Sequence, residues 1–156
     1  MKLDSIKPNH LYTDQPPLAA GVRIRYAYEA EYDVHRIVFL EASREAIEEW
    51  VEVMNAIYDR LAPDQPVRFL FDERPSGALP LKYSINRGIH WARTLEHHPP
   101  ARVAFLFPDR MIAQLANTML GVVQRQMGHL TVRLFDPSQE AQALAWLTDP
   151  KWVARR

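Results

Sequence analysis

The sequence predicts an α/β domain with a mixed, mostly parallel five-stranded sheet and about four helices. Two segments of alternating apolar and polar residues come first, with only a short polar turn between them. Three further strand-like segments follow, and segments with apolar residues at helical spacing separate them. The resulting order, β-β-α-β-α-β-α-β-α, needs crossover connections between its later strands, and such connections place those strands in parallel.

The first two strands are predicted over residues 22–28 and 34–40. Both segments are rich in β-branched and aromatic residues, and residues 29–33 between them are polar, which predicts an antiparallel hairpin. Residues 1–19 are polar and contain three prolines. They predict an extended or flexible N-terminal arm.

The first helix is predicted to begin after Ser43, whose side chain suits a helix cap, with Glu45 in the first turn. Apolar residues at three- and four-residue spacing then predict one buried stripe. Its members are Ile47, Trp50, Val51, Met54, Ile57, Tyr58 and Leu61, of which we expect Trp50 and Met54 to be core residues. The opposite, exposed side is expected to carry Glu45, Glu48, Glu49 and Glu52.

The strand-like segment 67–72 and the loop after it form the predicted functional corner of the domain. In open α/β sheets, ligands and partners meet the chain where the carboxyl ends of strands turn into helices. The loop holds two prolines and a glycine before the next helix. We therefore expect an exposed, partner-facing loop formed by Asp72, Glu73, Arg74, Ser76 and Gly77.

A second helix is predicted from Pro80, which suits a first helical turn. Its expected buried face is Leu81, Ile85, Gly88, Ile89, Ala92 and Leu95, and Gly88 would mark close packing against a strand. The other face carries Lys82, Tyr83, Asn86, Arg87, His90, Trp91 and Arg93. That face is either a solvated helix surface or a protein-interaction surface, because tyrosine, tryptophan and arginine dominate binding hot spots.

The last third of the chain predicts two more strand and helix pairs. Strands are expected over residues 103–107 and 130–135, and Gly128 is expected to cap the third helix. The predicted buried stripe of that helix is Met111, Ile112, Leu115, Ala116, Met119, Val123 and Met127. Asp136, Pro137 and Gln139 predict the start of the last helix. Its packed side is expected to be Ala141, Leu144, Ala145 and Thr148.

Composition limits the classes of function. The 156 residues carry 19 basic and 19 acidic side chains, so no net charge draws the chain to nucleic acid. There is no cysteine, no apolar leader at the N-terminus and no stretch near the ~20 apolar residues of a membrane span, which together predict a cytoplasmic location. One domain is predicted over residues 20–149, followed by a short tail over 150–156.

No catalytic or metal-binding signature is present in the sequence. The pair His97 and His98 lacks the spacing that places two metal ligands on one helix face, and there is no phosphate-binding or nucleophile motif. We expect neither a metal nor a cofactor. Asp72 and Glu73 are either an acid/base pair or ordinary carboxylates at the end of a strand.

The order of elements resembles the STAS-like fold of bacterial anti-sigma-factor antagonists, the SpoIIAA-like group related to Sec14-like domains. The chain ending is similar as well, with Arg133-Leu134-Phe135-Asp136 followed by Glu140-Ala141 and Ala143-Leu144-Ala145-Trp146-Leu147. Phospho-switch members carry an Asp-Ser-Ser-Gly-like stretch where the third strand enters the second helix. This chain has Arg74-Pro75-Ser76-Gly77 there, without the acidic-Ser-Ser part, so Ser76 is the nearest counterpart of the switch serine.

The resemblance implies a non-catalytic protein-interaction and regulatory module in bacterial signalling, with an unknown protein partner. Two alternatives stay open: a carrier of a small apolar or lipid ligand, implied by the Sec14-like kinship, and an enzyme that uses Asp72, Glu73 and a histidine. Ser76 is either a turn residue beside Gly77 or a phosphorylation site whose phosphate would pair with Arg74 and a helix N-terminus.

Strand alternation predicts one apolar sheet face and one mixed face that carries arginines. The arginines of the mixed face are expected to be Arg23, Arg25, Arg36, Arg68, Arg102 and Arg133. Four helices each about 10 Å wide cannot lie side by side on five strands about 4.8 Å apart. We therefore expect at least one helix on the mixed face, carboxylate or carbonyl partners for its arginines, and the N-terminal arm or a second subunit of a homodimer over the remainder.

Overall fold

The computed structural model describes the backbone of residues 23–155, and the side chains of these residues except 112, 115, 119 and 153–155. The predicted arm over residues 1–19 therefore lies outside the described residues. The elements in chain order are β1 (Ile24–Glu29), β2 (Val34–Phe39), α1 (Arg44–Tyr58), β3 (Val67–Asp72), α2 (Leu81–Thr94), β4 (Ala101–Leu106), α3 (Arg110–Gln126), β5 (Leu130–Phe135), α4 (Glu140–Leu147) and a final 3₁₀ helix (Pro150–Arg155).

The strands form one sheet in the order β1-β2-β3-β4-β5. The first pair is antiparallel, with Tyr26 opposite Ile37, which confirms the hairpin. The other three pairs are parallel, and Phe69 lies between His35 of β2 and Val103 of β4. The predicted α/β class with a mixed, mostly parallel sheet is therefore confirmed.

The apolar face of the sheet forms the main core together with α1, α2 and α3. Alternate residues of each strand, such as Ile37, Phe69 and Val103, point to this side and are buried. Ser43 caps α1 by accepting a hydrogen bond from the backbone N–H of Ala46 at 3.2 Å, as predicted. Within residues 23–155, no helix has both the length and the apolar character needed to cross a membrane.

The mixed face is covered by α4, which confirms that one helix lies apart from the other three. Ala143 and Leu147 of α4 pack on Leu70, Ala104 and Leu106 of the sheet. The side predicted for this helix was wrong in part, because Ala141 and Ala145 are exposed, whereas Leu144 packs on the core as predicted. The eight-residue helix is too short and too uniformly apolar for its periodicity to single out one face.

The arginines of the mixed face find several kinds of partner. Arg68 donates to the carbonyl oxygen of Leu147 at 2.9 Å and to the carboxylate of Asp33 at 3.0 Å, as predicted. The guanidinium of Arg102 lies 4.1 Å from the ring centre of Trp146, and that of Arg133 lies 5.2 Å from the ring centre of Phe135. Aromatic rings therefore contact these two guanidinium groups, a kind of partner that was not expected.

Glu49 of α1 and Arg23, which precedes β1, lie on other faces than predicted. Glu49 is buried rather than exposed, and it accepts hydrogen bonds from the backbone N–H of Arg23 at 3.1 Å and from its guanidinium at 2.9 Å. Arg23 thus lies against α1 and not on the mixed face. A buried carboxylate needs such a partner, and here the partner precedes β1 in the chain.

Other predictions for the three main helices need smaller corrections. Met54 is buried as predicted, whereas Trp50 is half-buried against the core. Gly88 faces Trp50 of α1 rather than a strand. Met111 is 77% exposed because it lies in the first turn of α3, and Gly128 lies beyond the cap residue Met127 without the left-handed backbone of a glycine cap.

Candidate functional site

The loop between β3 and α2 is folded back on itself. Gly77 adopts a left-handed backbone with φ of 78°, a conformation that glycine accepts without strain. Its N–H donates to the carbonyl oxygen of Glu73 at 3.1 Å. The hydroxyl of Ser76 lies within hydrogen-bond distance of the carbonyl oxygens of Glu73 and Gly77, at 3.2 and 2.7 Å. Ser76 is therefore an ordered turn residue in this structure.

Two residues of the predicted partner-facing loop are not exposed. Asp72 and Glu73 are 4% and 3% exposed, so only the tip from Pro75 to Ala78, together with part of Arg74, reaches solvent. Asp72 is buried because it belongs to the side of β3 that faces α4. Glu73 is buried because the loop closes over it, and its backbone N–H donates to Leu106 of β4.

A chain of alternating charges fastens the loop to α4. Arg74 binds both carboxylate oxygens of Asp72, through Nε at 2.9 Å and Nη2 at 2.7 Å. The same Nη2 contacts Glu140 at 2.6 Å, Glu140 also accepts from Arg36 at 3.0 Å, and Arg36 binds Glu29. Charge-assisted and bidentate pairs of this kind are the stronger class of hydrogen bond. The network holds the base of the loop in one position.

The electrostatics of this network follow from its geometry. Burial alone would raise the pKa of Glu140, but hydrogen bonds from Arg36 and Arg74 outweigh burial and lower it. The hydrogen bond with Asp72 is the main cause that raises the pKa of Arg74. Glu140 and Arg74 therefore both carry their charges at neutral pH.

Glu73 differs from its neighbours because it lacks a cationic partner among its described contacts. Its Oε1 accepts only a long hydrogen bond of 3.3 Å from the N–H of Leu79. Burial is the largest cause that raises its pKa, the Leu79 bond lowers the pKa, the charge of Asp72 raises it, and the net result is a pKa of about 7. The carboxyl group is consequently close to half-ionised at neutral pH.

The exposed side of α2 continues the surface of the loop. Lys82 and His90 are exposed, and Tyr83 and Arg87 are half-buried because both bind the carboxylate of Glu48 on α1, at 2.6 and 2.9 Å. Trp91 was predicted on this face, and that prediction is wrong. Its ring is 6% exposed, and its indole N–H donates to Asn55 of α1 at 2.7 Å.

A groove of about 710 Å³ runs along this side of α2. Its basic lining residues are Arg44, Lys82, Arg87 and His90, and the guanidinium of Arg44 lies 4.8 Å from the ring centre of Tyr83. Pro80 and Leu81 line the end of the groove next to the loop tip. Loop tip and groove therefore form one continuous surface, which we call the α2 surface.

The network and groove contain residues that the sequence analysis did not select. Glu140 and Arg44 are distant in sequence from segment 67–94, and no local pattern links them to it. One signal was available for Glu140, since it follows β5 at the same edge of the parallel sheet as the end of β3.

The geometry gives little support to an enzyme that uses Asp72, Glu73 and a histidine. Asp72 is held by Arg74 and Glu73 by the backbone of Leu79, so the two carboxylates do not share a ligand or a proton. Within the described part of the chain, no group of three or more His, Asp or Glu residues is placed to hold a metal ion. The buried histidine, His35, lies among aromatic rings of the core and contacts the hydroxyl of Tyr26.

A cavity of about 110 Å³ lies between the apolar sheet face and the three helices that cover it. Its walls include Trp50, Phe71, Trp91 and Phe105. Ligand pockets for drug-sized molecules measure roughly 300–1,000 Å³. The cavity is therefore too small for a lipid in this conformation.

Comparison with known proteins gave one match. A family model described as SpoIIAA-like matches residues 36–148, from within β2 to just past the end of α4. The match contains the loop, the groove and the network around Arg74 except for Glu29. A search of curated proteins and a search of solved structures found no match.

Proposed function

The chain belongs to the SpoIIAA-like family, and from this membership we propose that it is a regulatory module of bacterial signalling that binds a protein partner through the α2 surface. Domains of this family are generally non-catalytic and of the anti-sigma-factor-antagonist type. The proposal includes action in the cytoplasm and a homodimeric state, neither of which the family membership itself decides.

The observation that carries the proposal is the continuous surface of the loop tip and the groove. The base of the loop is fixed by Arg74, whereas Pro75 and Ala78 at its tip are exposed. A rigid support under an exposed tip suits recognition, because little conformational entropy is lost on binding.

The charge of the groove indicates the chemistry of the partner. Three permanent cations line it, and Glu48, the acidic residue in contact with them among the described residues, is already bound to Arg87 and Tyr83. An excess of positive charge favours an acidic segment of the partner and speeds its association. Because the whole chain is neutral, this attraction is local to the α2 surface.

Ser76 lies in the exposed part of the surface, and we propose that it contributes there as a contact residue. Its hydroxyl already has two backbone acceptors within reach, and the stretch lacks the acidic-Ser-Ser part of phospho-switch members. A negative charge at this position should weaken the binding of an acidic partner. Ser76→Asp is then expected to bind less than Ser76→Ala.

The test is quantitative capture of partners from native lysate, with mass spectrometry as the readout. The charge-reversed variant is Arg44→Glu with Lys82→Glu. The control is Arg133→Glu with Lys151→Glu, which makes the same charge change at exposed residues outside the α2 surface. A protein retained by wild type and control, and reduced by about tenfold with the α2 variant, supports the proposal.

Three other outcomes would contradict parts of the proposal. Equal capture by both charge-reversed variants would place the partner elsewhere on the domain. Identical partners for Ser76→Asp, Ser76→Ala and wild type would remove any switch at that serine. Light scattering of the purified chain tests the homodimer, since a monomeric mass contradicts it.

A further inference from the structure

The cavity beneath α2 and α3 is apolar and of the size of a single ring. Trp50, Phe71, Trp91 and Phe105 supply much of its wall, and its volume is about 110 Å³. An apolar cavity of about 150 Å³ in another protein accepts benzene, so a six-membered ring or a short aliphatic chain is a suitable occupant.

This cavity adjoins a depression of about 350 Å³ near the C-terminal ends of α2 and α3. Ile89, Ala92, Met127 and His129 line both spaces. The depression adds two basic side chains, Arg93 and His98. The apolar cavity therefore continues into a basic opening.

Two histidines of the opening lie side by side. The ring centres of His98 and His129 are 4.9 Å apart, and Nε2 of His98 donates to the carbonyl oxygen of Ala92 at 3.0 Å, which fixes that ring. Arg93 is exposed and permanently charged. Among the described residues that line the cavity and the depression, none is acidic.

We propose that the cavity and the basic opening together bind a small carboxylate with a ring-sized apolar body. The body occupies the space beside Trp50 and Trp91, and the carboxylate faces Arg93 and the two histidines. A carboxylate matches the planar donors of arginine, whereas a neutral ligand forms no ion pair with Arg93. The site lies apart from the α2 surface and does not depend on the proposed partner.

Titration of the full-length chain with three probes tests this proposal, with tryptophan fluorescence and calorimetry as readouts. Phenylacetate supplies ring and charge, phenylacetamide supplies the same ring without charge, and acetate supplies the charge alone. We expect saturable binding of phenylacetate with a Kd below about 1 mM, binding of phenylacetamide at least about tenfold weaker, and no saturation by acetate.

Variants separate the two ends of the site. Arg93→Gln and His129→Gln should each weaken phenylacetate at least about fivefold and leave phenylacetamide unchanged. Arg110→Gln, an exposed arginine at the other end of α3, is the matched control and should bind as wild type. Leu120 also lines the cavity. Leu120→Phe should narrow the cavity and weaken the binding of both ring-containing probes, and thermal unfolding is measured to show that the variant is folded.

Three outcomes would overturn the proposal. They are equal affinity for phenylacetate and phenylacetamide, unchanged phenylacetate affinity in both Arg93→Gln and His129→Gln, or no saturable binding of phenylacetate to folded wild-type protein.

Discussion

Replacement of Glu73 by glutamine should stabilise the domain, and only above mildly acidic pH. The carboxyl group is 3% exposed, and burial raises its pKa from the usual 4.5 to about 7. Between these values the folded chain binds more protons than the unfolded chain, so its stability falls as the pH rises. Glutamine keeps an oxygen for the N–H of Leu79 and carries no charge to bury.

The size of the effect follows from the two pKa values. The difference between a pKa of 4.5 in the unfolded chain and about 7 in the folded chain lowers the free energy of unfolding by about 3 kcal/mol at pH 8. At that pH the carboxyl group is ionised in the unfolded chain and mostly ionised in the folded chain. At pH 5 the buried carboxyl group lowers the free energy of unfolding by less than about 1 kcal/mol. Glu73→Gln should therefore raise the free energy of unfolding by about 3 kcal/mol at pH 8 and by much less at pH 5.

Urea unfolding followed by tryptophan fluorescence at the two pH values measures this difference. Glu45→Gln, at an exposed residue of α1, is the matched control and should show little change at either pH. A gain of the same size at pH 5 and pH 8, or a loss at pH 8, would refute the account of Glu73 as a strained buried acid.

Three further perturbations test the structure. Trp50→Ala should lower the free energy of unfolding by about 3 kcal/mol, because the half-buried ring packs on the core, and an unchanged urea midpoint would contradict that packing. Burial lowers the pKa of His35 to about 3, so the unfolded chain takes up a proton first as the pH falls below about 6.5. In the Glu73→Gln background, which removes the opposite contribution of Glu73, stability should drop by about 2 kcal/mol from pH 7 to 5. Paired replacement by His35→Leu and Tyr26→Phe should abolish that drop, and an unaltered pH slope would show that it arises elsewhere. Arg74→Ala removes the partner of a buried carboxylate and should cost about 3 kcal/mol, whereas Arg110→Ala, at an exposed ion pair, should cost far less, so equal losses would argue against the network.

The strands were predictable because their side chains alternate. Val67, Phe69 and Phe71 differ in kind from Arg68, and that contrast alone separates the two sheet faces. The placement of one helix on the mixed face was predicted from the width of four helices compared with that of five strands, without knowledge of any contact. β3 and β5 accordingly have the predicted bounds.

The buried polar residues could not be predicted in this way. Glu49 and Trp91 are polar or amphipathic side chains whose burial depends on one partner each, Arg23 and Asn55, and those partners are far away in sequence. The same holds for the site, since Glu140 joins Arg74 only after the chain has folded. Residue type and spacing predict which residues face solvent, but contacts between residues far apart in sequence decide which polar side chains are buried.

The sequential strand order has a consequence for synthesis of the chain. Because each new strand is added beside the one before it, the sheet can grow from β1 to β5 as the polypeptide emerges, without any strand having to insert between earlier ones. The face that carries Leu70, Ala104 and Leu106 receives its cover only when α4 arrives at the end. A nascent or truncated chain that stops before residue 140 would present this open apolar patch, and should be the species most prone to aggregate and most dependent on chaperones.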